Sequence, residues 1–133
     1  MKQVLTTCPY CGTGCTFYLN VEDDRIVSVT PNDANSVNQG ILCLKGHFGF
    51  DFVDNKKRLT NPLIRKNGEL VEASWDEAID LVASKMKETI EQHGPDALAA
   101  FSSARCTNEE NYLMQKLMRA VVGTNNIDHC ARL

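Results

Sequence analysis

From Thr16 to Thr30 apolar and polar side chains alternate, with Phe17, Leu19 and Val21 on one side of Glu22-Asp23-Asp24 and Ile26, Val27 and Val29 on the other. A period of two around an acidic turn predicts an antiparallel hairpin. Pro31 to Gly40 is polar and reads as a loop. Leu63-Ile64 and Leu70-Val71 flank Asn67-Gly68, the dipeptide that suits a type I′ turn, and predict a second hairpin. The period then changes. Ser74-Trp75-Asp76-Glu77 fits a capping box in which Glu77 reaches back to the Ser74 amide. Ile79, Val82, Ala83, Met86 and Ile90 follow on one helical face, and Gly94-Pro95 stops it.

Ala97 to Phe101 is a short uncharged run, the pattern of a buried strand in a parallel sheet. Thr107-Asn108-Glu109-Glu110 is a second capping box. It opens a helix with Leu113, Met114, Leu117, Met118 and Val121 on its inner side, ended by Gly123. Helix, strand and helix in this order open an α/β domain, whereas residues 1–60 form a small β-rich module. The reading is therefore α+β, divided into 1–60 and 61–133. At 133 residues the chain is long enough for one modest domain, or a small one and the start of another.

Composition narrows the partners. A net charge of −3 gives no reason to expect nucleic acid, and Lys56-Lys57-Arg58 reads as a solvated turn. No apolar run approaches the roughly 18 residues of a membrane span. The start, MKQVLTTCPYC, has neither the apolar core of a secretory signal nor a twin arginine, so the cytoplasm is the expected location. Six cysteines in a reducing compartment point to metal binding ahead of disulfides.

Four of them stand as Cys8-x2-Cys11-x3-Cys15-x27-Cys43. Four thiolates hold either a tetrahedral zinc or an iron–sulfur cluster. Zinc sites usually draw two ligands from each of two separated knuckles. Here three come from one tight loop and the fourth arrives alone, which favours a cubane bonded at three corners by one turn. Gly12 and Gly14 let the backbone come close to the inorganic sulfides. Lys45, two residues after Cys43, is either a solvated cation or a charge that favours the reduced cluster and donates to a second cofactor.

CPYCGTGC, GILCLKGHFGFDFV, SWDEAID and SSARCTNEENYLMQKLMRAVVGTNNIDHCARL together resemble the N-terminal part of molybdopterin-dependent oxidoreductases, and most closely the catalytic subunit of formate dehydrogenases. The resemblance implies that Cys8, Cys11, Cys15 and Cys43 ligate a [4Fe-4S] cluster. It implies that Lys45 lies between this cluster and a pterin of a bis-molybdopterin guanine dinucleotide carrying molybdenum or tungsten. Ser102, Ser103, Arg105 and Asn108 fall where the first α/β strand runs out toward that cofactor, and become candidate polar partners. For Thr107 to Glu110, helix capping alone is the competing explanation. Cys106 reads as a buried or half-buried thiol, and Cys130 as a neighbour of the active site. His93 reads as a surface residue favoured by its helix dipole, and His47 as a packed histidine near the cluster.

The implied reaction interconverts formate and CO2, with electrons leaving through the cluster to an iron–sulfur, flavin or hydrogenase subunit. Nitrate reductase and a non-catalytic iron–sulfur relay are the alternatives. The metal-ligating residue of the family comes directly after the segment matching Ala131-Arg132-Leu133. In many formate dehydrogenases it is selenocysteine, encoded by UGA. The expectation is that these residues precede such a codon in a longer, anaerobic enzyme, and that alone they are inactive.

Overall fold

The computed structural model of the protein describes residues 1–34 and 36–130. Its α-carbons group into two compact units, one made of Met1–Arg58, Phe101–Met114 and the segment from His129, the other of Leu59–Ala100 and Gln115–Asp128.

The first unit opens with an antiparallel meander of β1 (Lys2–Thr7), β2 (Thr16–Glu22) and β3 (Arg25–Pro31), in that order across the sheet. The β2–β3 hairpin forms where the alternation predicts it. Asp23 and Asp24 have φ of 49° and 59°, the left-handed pair that a type I′ turn requires, and Glu22 pairs with Arg25 across them. A bulge between Asn20 and Val21 shifts the register. β1 carries no alternation of its own and owes its existence to β2, against which it pairs from Lys2↔Val21 to Thr7↔Thr16. Asn20 is buried at the centre: Nδ2 donates to Ser28 Oγ at 2.8 Å and Thr30 Oγ1 at 2.9 Å, while Oδ1 accepts from Gln3 Nε2 at 2.9 Å. Phe17, Leu19 and Val29 pack with Cys8, Leu42, Tyr10 and Cys15 into the core of this unit. A short helix that the pattern does not predict, α1 (Leu44–Phe48), starts directly after Cys43 and lies against β3.

In the second unit β4 (Leu63–Lys66) and β5 (Glu69–Glu72) make the expected hairpin, with Asn67 and Gly68 at φ 52° and 90°. α2 (Trp75–His93) starts at Ser74, whose Oγ accepts from the Glu77 N–H at 3.1 Å. The expected return contact is replaced: the Glu77 carboxylate pairs with Lys66 Nζ at 2.7 Å, a cation in reach being a stronger partner than a neutral amide. His93 is exposed in the last turn of α2, as expected. The apolar face of α2 is where the period puts it but is not buried, with Ile79 and Val82 both 58 % exposed. Periodicity identifies an apolar face, and burial needs something packed on it.

The strand expected at Ala97 begins later. Pro95–Ala97 forms a 3-10 turn closed by Leu98 N–H to Pro95 O at 3.1 Å, and β6 is Ala100–Ser103. It runs parallel to β7 (Ile127–Cys130), the Ala100 and Ala104 N–H groups donating to Asn126 O and Cys130 O. The parallel pairing holds, but Phe101 is 84 % exposed, so the strand is not buried. Within the second unit Thr124 Oγ1 donates to Asp96 Oδ1 at 2.6 Å, fixing the 3-10 turn.

α3 (Asn108–Lys116) has its capping box in both directions: Thr107 N–H donates to Glu110 Oε2 at 2.7 Å, and Glu110 N–H donates to Thr107 Oγ1 at 3.3 Å. Leu117–Val122 continues as a π-helical turn, with Gly123 N–H reaching Met118 O at 2.9 Å. This wider turn changes the inner face. Met118 and Val122 are buried, whereas Leu113, Leu117 and Val121, expected inside, are exposed. Among the described residues no helix is long and apolar enough to cross a membrane.

Candidate metal centre

The cysteine loop is the connection of a β-hairpin. Thr7 pairs with Thr16, and the next rung, Cys8 N–H to Cys15 O at 2.8 Å, closes the ladder. The register of β1 on β2 therefore sets Cys8 across from Cys15, with Cys11 in the loop between them. Gly14 turns that loop at φ +75°, a conformation that strains residues with a side chain.

Cys43 is delivered by the polar segment after β3. Asn32 Nδ2 donates to Thr16 Oγ1 at 3.1 Å, Thr16 N–H donates to Asn38 Oδ1 at 3.0 Å, and Asn38 Nδ2 donates to Ile41 O at 2.9 Å. Both asparagines tie the segment to Thr16, the neighbour of Cys15. Leu42 then enters the core, and the carbonyl of Cys43 accepts from His47 N–H at 3.1 Å to start α1. Tyr10 OH donates to Gly49 O, joining the cysteine loop to the far end of α1.

Cys8, Cys11, Cys15 and Cys43 line one cavity of about 290 Å³, together with Lys45 and Arg105. An apolar cavity of about 220 Å³ also borders Lys45 and Tyr10 but has no cysteine in its wall. Burial pushes the Cys8 thiol above its ordinary range, with Cys11 and Cys43 adding to the rise and a backbone hydrogen bond from Tyr10 opposing it. Burial likewise raises Cys15, followed by the charges of Cys8, Cys11 and Cys43. Cys11 moves the other way, because the Thr13 side chain and backbone hydrogen-bond to it, and Lys45 lends further positive charge. A 3.2 Å hydrogen bond joins Cys11 Sγ and Thr13 Oγ1.

These features bear on what the cavity can hold. Thiolates that raise one another's proton affinity need a cationic group between them to stay ionised together. Among the described residues no three Cys, His, Asp or Glu side chains are gathered for a single metal ion. Four thiols on the wall of one cavity are a donor set that an iron–sulfur cluster can use.

The other expected site residues divide. Lys45 is exposed in α1 and Arg105 is exposed on the turn after β6, both at the cavity wall. Ser102 Oγ is hydrogen-bonded to Asn111 Oδ1, and Ser103 Oγ accepts from Arg105 N–H at 3.0 Å. Asn108 Nδ2 donates to Gly12 O at 2.8 Å. Cys106 is half-buried, as expected, and Cys130 is exposed on β7. His47 is half-buried with its ring beside Phe48. Ala131-Arg132-Leu133, expected to precede the metal ligand, lies outside the described residues. Asn20, Asn32, Asn38 and Asn111 are the positions that pattern reading missed. The one signal for Asn32 and Asn38 is the asparagine-rich loop itself, since short amides favour local backbone bonds.

Residues 1–55 match the family described as the molybdopterin oxidoreductase Fe4S4 domain, and residues 58–133 match molybdopterin oxidoreductase. The chain belongs to the molybdopterin oxidoreductase family, and the two matches indicate a molybdopterin cofactor and a [4Fe-4S] cluster. Two relatives from Methanococcus maripaludis are each 53% identical to it. The F420-dependent formate dehydrogenase 2 subunit alpha aligns over 99% of this chain and 19% of its own length. The F420-dependent formate dehydrogenase 1 subunit alpha aligns over 96% and 18%. The chain thus spans about a fifth of the length of these two relatives.

Proposed function

We propose that the chain is the N-terminal portion of the catalytic subunit of a formate dehydrogenase or CO2 reductase. The observation that carries this reading is one cavity walled by Cys8, Cys11, Cys15 and Cys43 with two cations beside it. Its 53% identity to subunits named for formate dehydrogenation supports the choice of reaction. On this reading the four cysteines hold the [4Fe-4S] cluster in a domain of residues 1–60, and residues 61–133 begin the cofactor-binding α/β domain. Lys45 occupies the electron path between cluster and pterin. Its charge favours an electron arriving on the cluster, and its chain is long enough to donate a hydrogen bond away from the cavity. Ser102, Ser103 and Arg105 supply polar contacts on the pterin side, Arg105 as a fixed positive charge for phosphate or pterin oxygens. The cofactor, a bis-molybdopterin guanine dinucleotide with molybdenum or tungsten, supplies the two-electron interconversion of formate and CO2.

The electrons then pass to an iron–sulfur, flavin or hydrogenase subunit, in a cytoplasmic enzyme of anaerobic metabolism whose metal ligand is selenocysteine or cysteine. Purification of the complete gene product without oxygen tests this directly. The expected result is iron, sulfide and molybdenum or tungsten in the protein, with formate-dependent dye reduction. Iron alone would indicate a relay module, and nitrate turnover without formate turnover would indicate a nitrate reductase; either overturns the proposal. Reading the gene beyond codon 133 tests the selenocysteine assignment separately.

A further inference from the structure

The cysteine loop is held by a residue far away in the chain. Asn108, the first residue of α3, donates from Nδ2 to the carbonyl oxygen of Gly12 at 2.8 Å across a separation of 96 residues. The contact is close on the other side of the amide too. A β-carbon built on Gly12 would overlap Asn108 Oδ1 and stand 3.1 Å from Cγ, so a larger residue at Gly12 would push the Asn108 amide aside. Asn108 sits on a prepared support. Thr107 and Glu110 cap its helix reciprocally, and Asn111 Nδ2 donates to Ser103 O and Thr107 O, each at 3.1 Å, closing the turn that leads into it.

The Gly12 carbonyl and the Thr13 N–H belong to one peptide unit, and in a trans peptide they point in opposite directions. Holding the carbonyl toward Asn108 therefore turns the Thr13 N–H to the other side. Thr13 stands against Cys11, its hydroxyl oxygen 3.2 Å from Cys11 Sγ. Hydrogen bonds to the sulfurs of an iron–sulfur cluster help set its reduction potential, because they stabilise the more negative, reduced state.

We propose that Asn108 is a positioning residue for the cluster: by fixing the Gly12–Thr13 peptide it holds Thr13 against Cys11, so that the Thr13 hydroxyl hydrogen-bonds the ligating sulfur and raises the cluster's potential. The proposal rests on Cys11 being a cluster ligand. It assigns Asn108 to the cluster and not to the pterin.

The test uses the complete, cluster-loaded enzyme purified without oxygen, as wild type and as Asn108→Ala, Asn108→Asp, Gly12→Ala and the double variant Gly12→Ala/Asn108→Ala. Asn108→Asp keeps the shape and suits a helix start but has no donor, so it covers the case in which Asn108→Ala fails to fold. Iron and sulfide content, the electron paramagnetic resonance spectrum, a potentiometric titration of the cluster and its bleaching by a chelator are measured. Asn108→Ala and Asn108→Asp should keep the cluster, shift its potential to more negative values and alter its spectrum. Bleaching should be about tenfold faster, the lower end of the effect of groups that orient metal ligands. Gly12→Ala should displace the Asn108 amide and shift the potential in the same direction as Asn108→Ala, and the double variant should shift it no further than Asn108→Ala. A loaded wild type alongside folded Asn108 variants with unchanged potential, spectrum and bleaching overturns the proposal and leaves the cluster assignment standing. A wild type with no iron or sulfide overturns the cluster assignment and this proposal together.

Discussion

Asn20 uses both ends of its amide inside the sheet, donating to two hydroxyls on β3 and accepting from Gln3 on β1. Asn20→Ala leaves those partners short of bonds in a buried place and should lower stability by about 2 kcal/mol in denaturant titration. Because the β1–β2 register sets Cys8 across from Cys15, the same variant should also carry less iron and sulfide. Lys45 lies at the cavity wall without being a thiol donor. Lys45→Ala should keep the cluster and slow electron transfer out of the pterin by about tenfold, read by single-turnover kinetics with formate. Unchanged turnover would remove Lys45 from the path. At this scale the cysteines are legible because four thiols at such spacing have few other uses. The asparagines are not, since their roles depend on partners such as Gly12 and Thr16 that only folding brings near.

Among the elements, both hairpins are legible because their turn residues are specific: Asp23-Asp24 and Asn67-Gly68 take the positive φ values that those residue types tolerate. The caps of α2 and α3 are legible for the same reason, a side chain bonding to a backbone group three residues away. β1, α1 and β7 leave little trace in the sequence, being short segments that exist by pairing or packing with something else. The interior of α2 offers a test of local electrostatics. The Lys85 ammonium hydrogen-bonds the Glu88 carboxylate at 2.6 Å and lowers its proton affinity. A carboxyl whose pKa is lowered on folding contributes stability above its unfolded value near 4.5, and this is lost as pH falls through the lower folded value. Circular dichroism should show slightly less helix stability on acidification through that window, and Lys85→Ala should reduce the dependence. A variant with the same acid profile as wild type would show that the exposed pair contributes nothing.

For the whole molecule, the exposed apolar surface is the dominant feature. Trp75, Ile79 and Val82 line a groove on α2, and Phe101, Leu113 and Val121 are each more than half exposed. Patches of this kind bind hydrophobic dyes and associate. The 133-residue chain on its own should therefore enhance the fluorescence of such a dye and self-associate at micromolar concentration, whereas, on the proposed reading, a longer gene product that covers these faces should do neither. A monomeric, dye-silent chain would show that these faces are satisfied within the described fold. The buried apolar core is correspondingly small, and its members in the first unit include Cys8 itself. Loss of the cluster should for that reason loosen the β1–β2–β3 module along with the site.

The sequence alone determined the chemistry and the local elements: thiol spacing, turn dipeptides, caps and helical period are properties of neighbouring residues, so they survive reading one position at a time. The tertiary structure decided which apolar faces are covered, where β6 starts, how the π-helical turn redirects Val121, and that an amide from α3 seats the cysteine loop. Each of those depends on groups distant in the chain meeting in space, and hydrophobic pattern carries no record of which distant group a side chain will meet.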